Sequence, residues 1–347
     1  MTVNDVGLQA VDRIFKILQI DEEWSIRRPR GFTWWSYRLA QHIDATPPWQ
    51  DDEYQLSRIR IRTELVDAVD PAQHPEQFVA LANMQETMSA VVWDPEERSI
   101  SECCTGIVHQ ENVGWLTKLL ATAAIMQNEA AHGRAQALAE IVGGAPAASN
   151  HPQSGERPEP DGMLGLPDTM AEQARDAGRS FKGPLCANLS GFLPHYELLG
   201  FSDESNFSCE VPFTGQVPIA AMAALNLPGK SEPPETSLLR IYPDIEHPRV
   251  GPGAFVTLLL PVIFDPDEIP SVVNRLNLSE AKGNTHSNLL GAWCPDPTNE
   301  QRNTIAFTSF LPDLLAEPGI LENQVVFNAV RSRSYGSTGG GLMRAGM

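Results

Sequence analysis

The chain states one pattern twice, and that repetition constrains its fold more than any single motif. The stretch Met88–Val108 reads MSAVVWDPEERSISECCTGIV, and Asn288–Phe310 reads NLLGAWCPDPTNEQRNTIAFTSF. Each has an apolar run ending in Trp (Trp93, Trp293), a turn containing Pro and Glu, an Arg, and a second strand-like run. Upstream of each lies Asp-Pro followed by a short helical pattern: Asp70-Pro71 with Phe78–Asn83, and Asp265-Pro266 with Ile269–Asn277. The order strand, strand, short helix, hairpin, long helix thus occurs in both halves. The offset exceeds the period of solenoid repeats, so the expectation is a duplicated module rather than an array.

The expected fold class is α+β: two similar modules, each an antiparallel sheet with helices packed on one side, pseudo-duplicated in one chain. Residues 1–144 form the first module. Residues 145–168, dense in Pro, Ser, Gly and Asn, read as a flexible linker. Residues 169–347 form the second module, with an N-terminal insertion at 169–236 and a flexible glycine-rich tail at 336–347. In the first module, Leu8, Val11, Ile14, Phe15 and Leu18 share one helical face. Phe32–Ile43 reads as one strand, stopped at Thr46-Pro47-Pro48. Leu56–Val66 is a strand of period two, with Ile59 and Ile61 alternating with Arg58, Arg60 and Arg62. Trp115–Val142 is a long helix closed by Gly143-Gly144.

Composition narrows the function classes. With 25 basic and 44 acidic residues the formal net charge is −19, a field that repels phosphate backbones and anionic membranes. Neither nucleic acid nor a membrane is therefore an expected partner. The N-terminal stretch interleaves acidic with apolar residues and lacks the uninterrupted apolar region of a secretion signal. The five cysteines, Cys103, Cys104, Cys186, Cys209 and Cys294, are odd in number and lack paired CxxC spacing, which argues against a disulfide framework or zinc ribbon. A cytoplasmic protein with reduced thiols is expected.

No residue set assembles into a catalytic or metal site in the sequence, so no catalytic residue, metal ligand or cofactor is assigned. Glu129-x-x-His132 has the i, i+3 spacing of di-metal helical bundles but lacks the second pair such sites need. Cys103 and Cys104, adjacent in a strand, should point to opposite faces. The basic stretch Arg27–Arg30, followed by Phe32, Trp34, Trp35 and Tyr37, mixes guanidinium with aromatic rings. The stripe Arg58, Arg60, Arg62 is either the solvated face of a sheet or a face that grips an acidic or extended partner, since arginine and aromatic residues carry interface energy. Arg58, Arg60, Arg62, Trp34 and Trp35 are the candidate partner-binding residues.

This element order resembles the type III secretion chaperone-like family. The resemblance is carried by the helix Leu8–Leu18, the strand Leu56–Val66, the WDPEERSI hairpin, the helix Trp115–Val142 and the second set from Ser237 to Arg333. It implies an antiparallel sheet with helices on one side that binds other proteins rather than catalysing a reaction. Members are usually short single modules that homodimerise; two modules in one chain could form an internal pseudo-dimer instead. The expected function is a non-enzymatic, chaperone-like, protein-binding role, with recognition through sheet faces or grooves. The alternative is an enzyme whose site lies between the modules or in the loop-rich segment 181–215, which holds Cys186, His195, Glu197, Asp203, Glu204 and Cys209.

Overall fold

A computed structural model describes residues 5–51, 53–86, 88–212, 236–261, 265–285, 287–297 and 304–336. The expected glycine-rich tail, apart from Gly336, lies outside these residues. Helix α1 (Val6–Ile17) starts where Asp5 accepts the Leu8 N–H at 3.1 Å, and it buries Val6, Ala10, Val11, Ile14 and Phe15. An Asp at this position satisfies one of the helix's orphan donors.

The strand expected over Phe32–Ile43 is two strands. Chain order gives β1 (Ser25–Arg28), β2 (Gly31–Trp35), β3 (Ala40–Ala45), β4 (Trp49–Asp51) and β5 (Tyr54–Asp67). The turn between β2 and β3 is fixed from outside: His132 Nε2 accepts the N–H groups of Arg38 and Leu39 at 3.1 and 3.2 Å. No local signal marks it, because the residue that holds it is more than ninety positions away. Helix α2 (Pro75–Asn83), strands β6 (Ala90–Asp94) and β7 (Ser99–Val108), and helix α3 (Val113–Ile141) follow as expected. The sheet runs β6-β7-β5-β3-β2-β1, all antiparallel, with α1 and α3 on one face.

The expected flexible linker is not a loose tether. Strand β8 (Ala145–Pro146) pairs with the end of β5, Ala147 N–H donates to Leu65 O at 2.9 Å, and Ser149 N–H donates to Arg38 O at 2.9 Å. Farther along, Arg157 donates to Trp35 O at 2.8 Å and pairs with Asp161 at 3.0 Å. Backbone groups of this polar stretch are satisfied by the first sheet, which composition alone does not reveal.

After α4 (Pro167–Ala177) and two single-turn helices, α5 (Pro184–Ala187) and α6 (Phe192–His195), the second sheet begins earlier than expected. Residues placed in an insertion supply β9 (Leu199–Ser202) and β10 (Phe207–Pro212), its two outer strands. Strand β9 has four residues, too few to show a period, and Gly200 lies so close to β10 that a Cβ would meet Ser208 O at 2.1 Å. Then come β11 (Thr236–His247), β12 (Gly251–Pro261), α7 (Ile269–Lys282), β13 (Ala292–Pro295), β14 (Thr304–Pro312) and α8 (Ile320–Gly336). The order is β13-β14-β12-β11-β10-β9, again antiparallel. Read from its hairpin edge, each sheet follows the same path, with a helix before the hairpin and a long helix after it.

The two hairpin edges meet. Helices α2 and α7 pack against each other, α7 also against β6, and α2 also against β13. Edge strands leave backbone donors and acceptors exposed, and here asparagines occupy them. Asn83 accepts from Val91 N–H at 2.7 Å and donates to Val91 O at 2.8 Å. Asn277 makes the same two bonds to Trp293, both 2.8 Å. Asn274 reaches across to the other half, with bonds of 2.9 and 3.0 Å to Trp93 N and O. Farther along β7, Thr105 N–H donates to Leu289 O at 2.9 Å and Ile107 N–H to Asn288 Oδ1 at 2.7 Å. One apolar cluster runs from α1 and α3 into the second sheet. Asn274→Ala strands two buried backbone groups, and urea denaturation should show a loss of about 1–3 kcal/mol. A loss shared equally by an exposed-site control would contradict that accounting.

Candidate binding groove

Strand β5 alternates as its sequence dictates, putting Ile59 and Ile61 against the helices and Arg58, Arg60 and Arg62 on the outer face. The cross-strand rows on that face are Asp44–Arg60–Thr105 and His42–Arg62–Cys103. Helix α7 of the second half lies over part of this face. Between them is a cavity of about 350 Å³, lined by β1, β3, β5, β6, β7 and the α7 residues Leu278, Ala281 and Lys282.

The three arginines meet different ends. Arg58 is only 4% exposed; its guanidinium donates to Ser287 O at 3.1 Å and to Thr285 O, both in the second half. Gly283 stands beside it at φ +81°, the left-handed turn that ends α7, with its would-be Cβ 3.1 Å from Arg58 Cδ. Arg58 therefore clasps the two halves and is withdrawn from any outside partner. Arg62, exposed, pairs with Glu64 at 2.9 Å. Arg60 is exposed, lines the cavity, and makes no hydrogen bond or ion pair with any described residue.

The other charges in the groove are committed. Arg28 pairs with Asp44 at 3.2 Å and donates to Phe32 O at 3.0 Å. Lys282 lies 3.0 Å from Asp94 and 3.2 Å from Glu96. Glu64 has its pKa lowered, first by the adjacent His42 imidazole, whose Nε2 is 3.1 Å away, and then by Arg62 and Arg28. Burial is the largest single influence on Asp94 and raises its pKa, but Lys282 and the Glu96 and Glu97 N–H groups together outweigh it and the net shift is downward. Cys103 faces Arg62 across the row, yet desolvation pushes its thiol up to about 12, so it is held protonated.

Trp34 and Trp35 are not part of this surface. Trp34 has no exposed area, and Trp35, 7% exposed, donates its indole N–H to Ser149 Oγ at 3.1 Å and sits edge-on to His151. Buried rings of this kind are core, and neither offers a face to a partner. The neighbouring arginines are also engaged: Arg27 lies over the Phe15 ring at 3.5 Å, and Arg30 pairs with Asp5 at 2.8 Å.

Among the described residues, those considered for an enzyme make no hydrogen bond or ion pair with one another, although Asp203 lies near enough to Cys186 to act on its thiol. Cys186 and Cys209 are buried in the core, with thiols raised by desolvation to about 11 and about 12. His195 is exposed at the end of α6, and Asp203 accepts from Ser205 and Asn206 in its own turn. Glu129 pairs with Arg249, while His132 holds the β2–β3 turn, so the i, i+3 pair is divided between two structural tasks.

Two polar clusters, the second fully buried and the first partly so, carry a signal in the sequence. Asn83-x-x-Glu86 and Asn277-x-x-Glu280 occupy matching places, and each Glu meets an Arg from the long closing helix. Glu280 accepts a bidentate pair from Arg331, both bonds 2.9 Å, and also the Trp293 indole N–H at 2.8 Å. The Arg331 guanidinium lies 3.6 Å over the Phe307 ring. In the first half Arg134 pairs with Glu86 and lies 3.8 Å from Glu102, which sits where Phe307 sits in the second.

Compared with known protein families, with characterised proteins and with solved structures, the chain finds no match. The described residues include no helix long and apolar enough to cross a membrane, and no group of three or more His, Cys, Asp or Glu side chains placed to hold a metal ion.

Proposed function

We propose that this is a cytoplasmic, non-enzymatic binding protein of chaperone-like character, whose recognition surface is the groove on the outer face of the first sheet. The observation that carries the reading is Arg60, an exposed guanidinium that forms no ion pair with any described residue, although Asp44 stands across the strand, inside a groove where the other cations are each held by a carboxylate. A concave site with an apolar floor and a few convergent polar groups is the usual form of a binding site. Leu278 and Ala281 supply the apolar part here, over the buried Val92.

The resemblance to the type III secretion chaperone-like family belongs to this proposal, as does the origin of the two halves as copies of one module closed into an internal pseudo-dimer. The matching strand orders and the paired Asn-x-x-Glu clusters support it. Five free, buried cysteines support the cytoplasmic assignment. Binding rather than turnover is favoured by the groove's chemistry, since burial holds its two thiols, Cys103 and Cys104, protonated and its carboxylates are bound to cations.

Site-directed photo-crosslinking tests the location. A pool of short extended peptides carrying a photoreactive residue should label Leu278 or Ala281. Labelling confined to the second sheet would refute the assignment.

A further inference from the structure

We infer that the occupant of this groove is an acidic extended segment of a partner polypeptide, anchored by a carboxylate on Arg60; the inference rests on the binding reading above. The groove holds four cations, Arg28, Arg60, Arg62 and Lys282, against three carboxylates, Asp44, Glu64 and Asp94. Asp44 is held by Arg28, Glu64 by Arg62, and Asp94 together with Glu96 at the rim by Lys282, so among the described residues Arg60 is the groove cation that no carboxylate pairs with. The remaining neighbour of like kind, Arg58, repels it. In a chain of net charge −19, a cation left uncompensated on a recessed face stands against the prevailing field. Guanidinium offers a planar fork that matches a carboxylate in a two-bond pair.

The shape argues for a peptide side chain within an extended segment. Arg60 lies at one side of the cavity on β5, while Leu278 and Ala281 on α7, backed by the buried Val92 of β6, form an apolar wall. Alternate side chains of an extended chain point to opposite sides, so one carboxylate can reach Arg60 while an apolar neighbour along the segment rests on that wall. A phosphate backbone would meet the same guanidinium. It would also approach Asp44, Glu64 and Asp94 without apolar groups to place on the wall, and the net field opposes it.

The test uses the full chain and a short fluorescein-labelled peptide alternating Glu and Leu, read by fluorescence anisotropy. A matched peptide alternating Gln and Leu, free succinate and a short oligothymidylate are the comparison probes. The Glu peptide should bind at least about tenfold more tightly than the Gln peptide, with an affinity that falls as salt rises. Arg60→Ala should remove that preference, and Arg60→Glu should reverse it. Because Arg60 is exposed and makes no bond with a described residue, Arg60→Ala should leave the melting temperature unchanged, while Arg60→Glu, which faces Asp44 across the strands, should keep a cooperative melt that shows the fold intact. Equal binding of both peptides, unaffected by Arg60→Glu but abolished by the groove-filling Ala281→Trp, would overturn the acidic class while leaving the groove as a binding site. Binding unaffected by either variant would overturn both readings. Absence of binding by the Glu peptide up to about 1 mM, or tighter binding of succinate or the oligonucleotide, would overturn the acidic-polypeptide assignment.

Discussion

Arg331→Leu should destabilise the protein by about 3–5 kcal/mol, because it leaves the Glu280 carboxylate charged, buried and without its partner. Both side chains are essentially inaccessible, at 1% and 0% exposure. The guanidinium makes four hydrogen bonds: two to Glu280, one to Asn328 Oδ1 at 2.8 Å and one to Asn288 O at 2.6 Å. The last of these fixes the segment that reaches across to β7, so the loss should also loosen the contact between the halves. Glu280→Leu alone should be comparably damaging. Arg331→Leu with Glu280→Leu should recover a substantial part of the loss, since removing both charges removes the desolvation cost with the attraction. Chemical denaturation of the four proteins gives the coupling directly. A double variant whose loss equals the sum of the two single losses would contradict the account.

The second large effect is pH-dependent and belongs to Glu102. It has no exposed surface; Ser89 Oγ donates to its Oε1 at 2.6 Å, and its Oε2 lacks a hydrogen bond. Desolvation, followed by the nearby Glu86 carboxylate, pushes its pKa up to about 8, against the ordinary 4.5. Arg134, shared with Glu86, offsets this only in part. A raised carboxyl pKa means that the folded state keeps a proton which the unfolded chain releases. Between pH 4.5 and 8 stability should therefore fall as pH rises, at up to about 1.4 kcal/mol per pH unit. Below the window the contribution is fully retained, and above it the penalty is constant. Glu102→Gln should flatten the profile and be the more stable protein at pH 9. A wild-type profile with no such slope, or a slope that survives the substitution, would contradict the assignment.

These two clusters show what was legible in the sequence and what was not. The period-two alternation in β5 and the long apolar face of α3 are local patterns, and both elements stand where they were read. The hairpin at Trp93 was readable for the same reason. The division of Phe32–Ile43 into two strands was hidden because His132 makes the turn. Polar residues 145–161 read as a tether because their hydrogen-bond partners, Leu65, Arg38, Trp35 and Ser36, are distant in sequence. The arginine stripe was found on the correct face, but the different ends of Arg58 and Arg60 depend on carbonyls of Thr285 and Ser287 from the other half. The most informative missed signal was local after all: Asn-x-x-Glu recurs at the end of each short helix, and it marks the residues that join helix, edge strand and closing helix in both halves.

The recognition groove is the central claim, and filling it is the direct measurement. Ala281→Trp places an indole where the apolar wall now stands, on a half-buried position of α7. Anisotropy titration of the Glu–Leu peptide should then show binding lost by about tenfold or more in a protein whose melt remains cooperative. Undiminished binding by Ala281→Trp would place the recognition surface elsewhere and contradict the account.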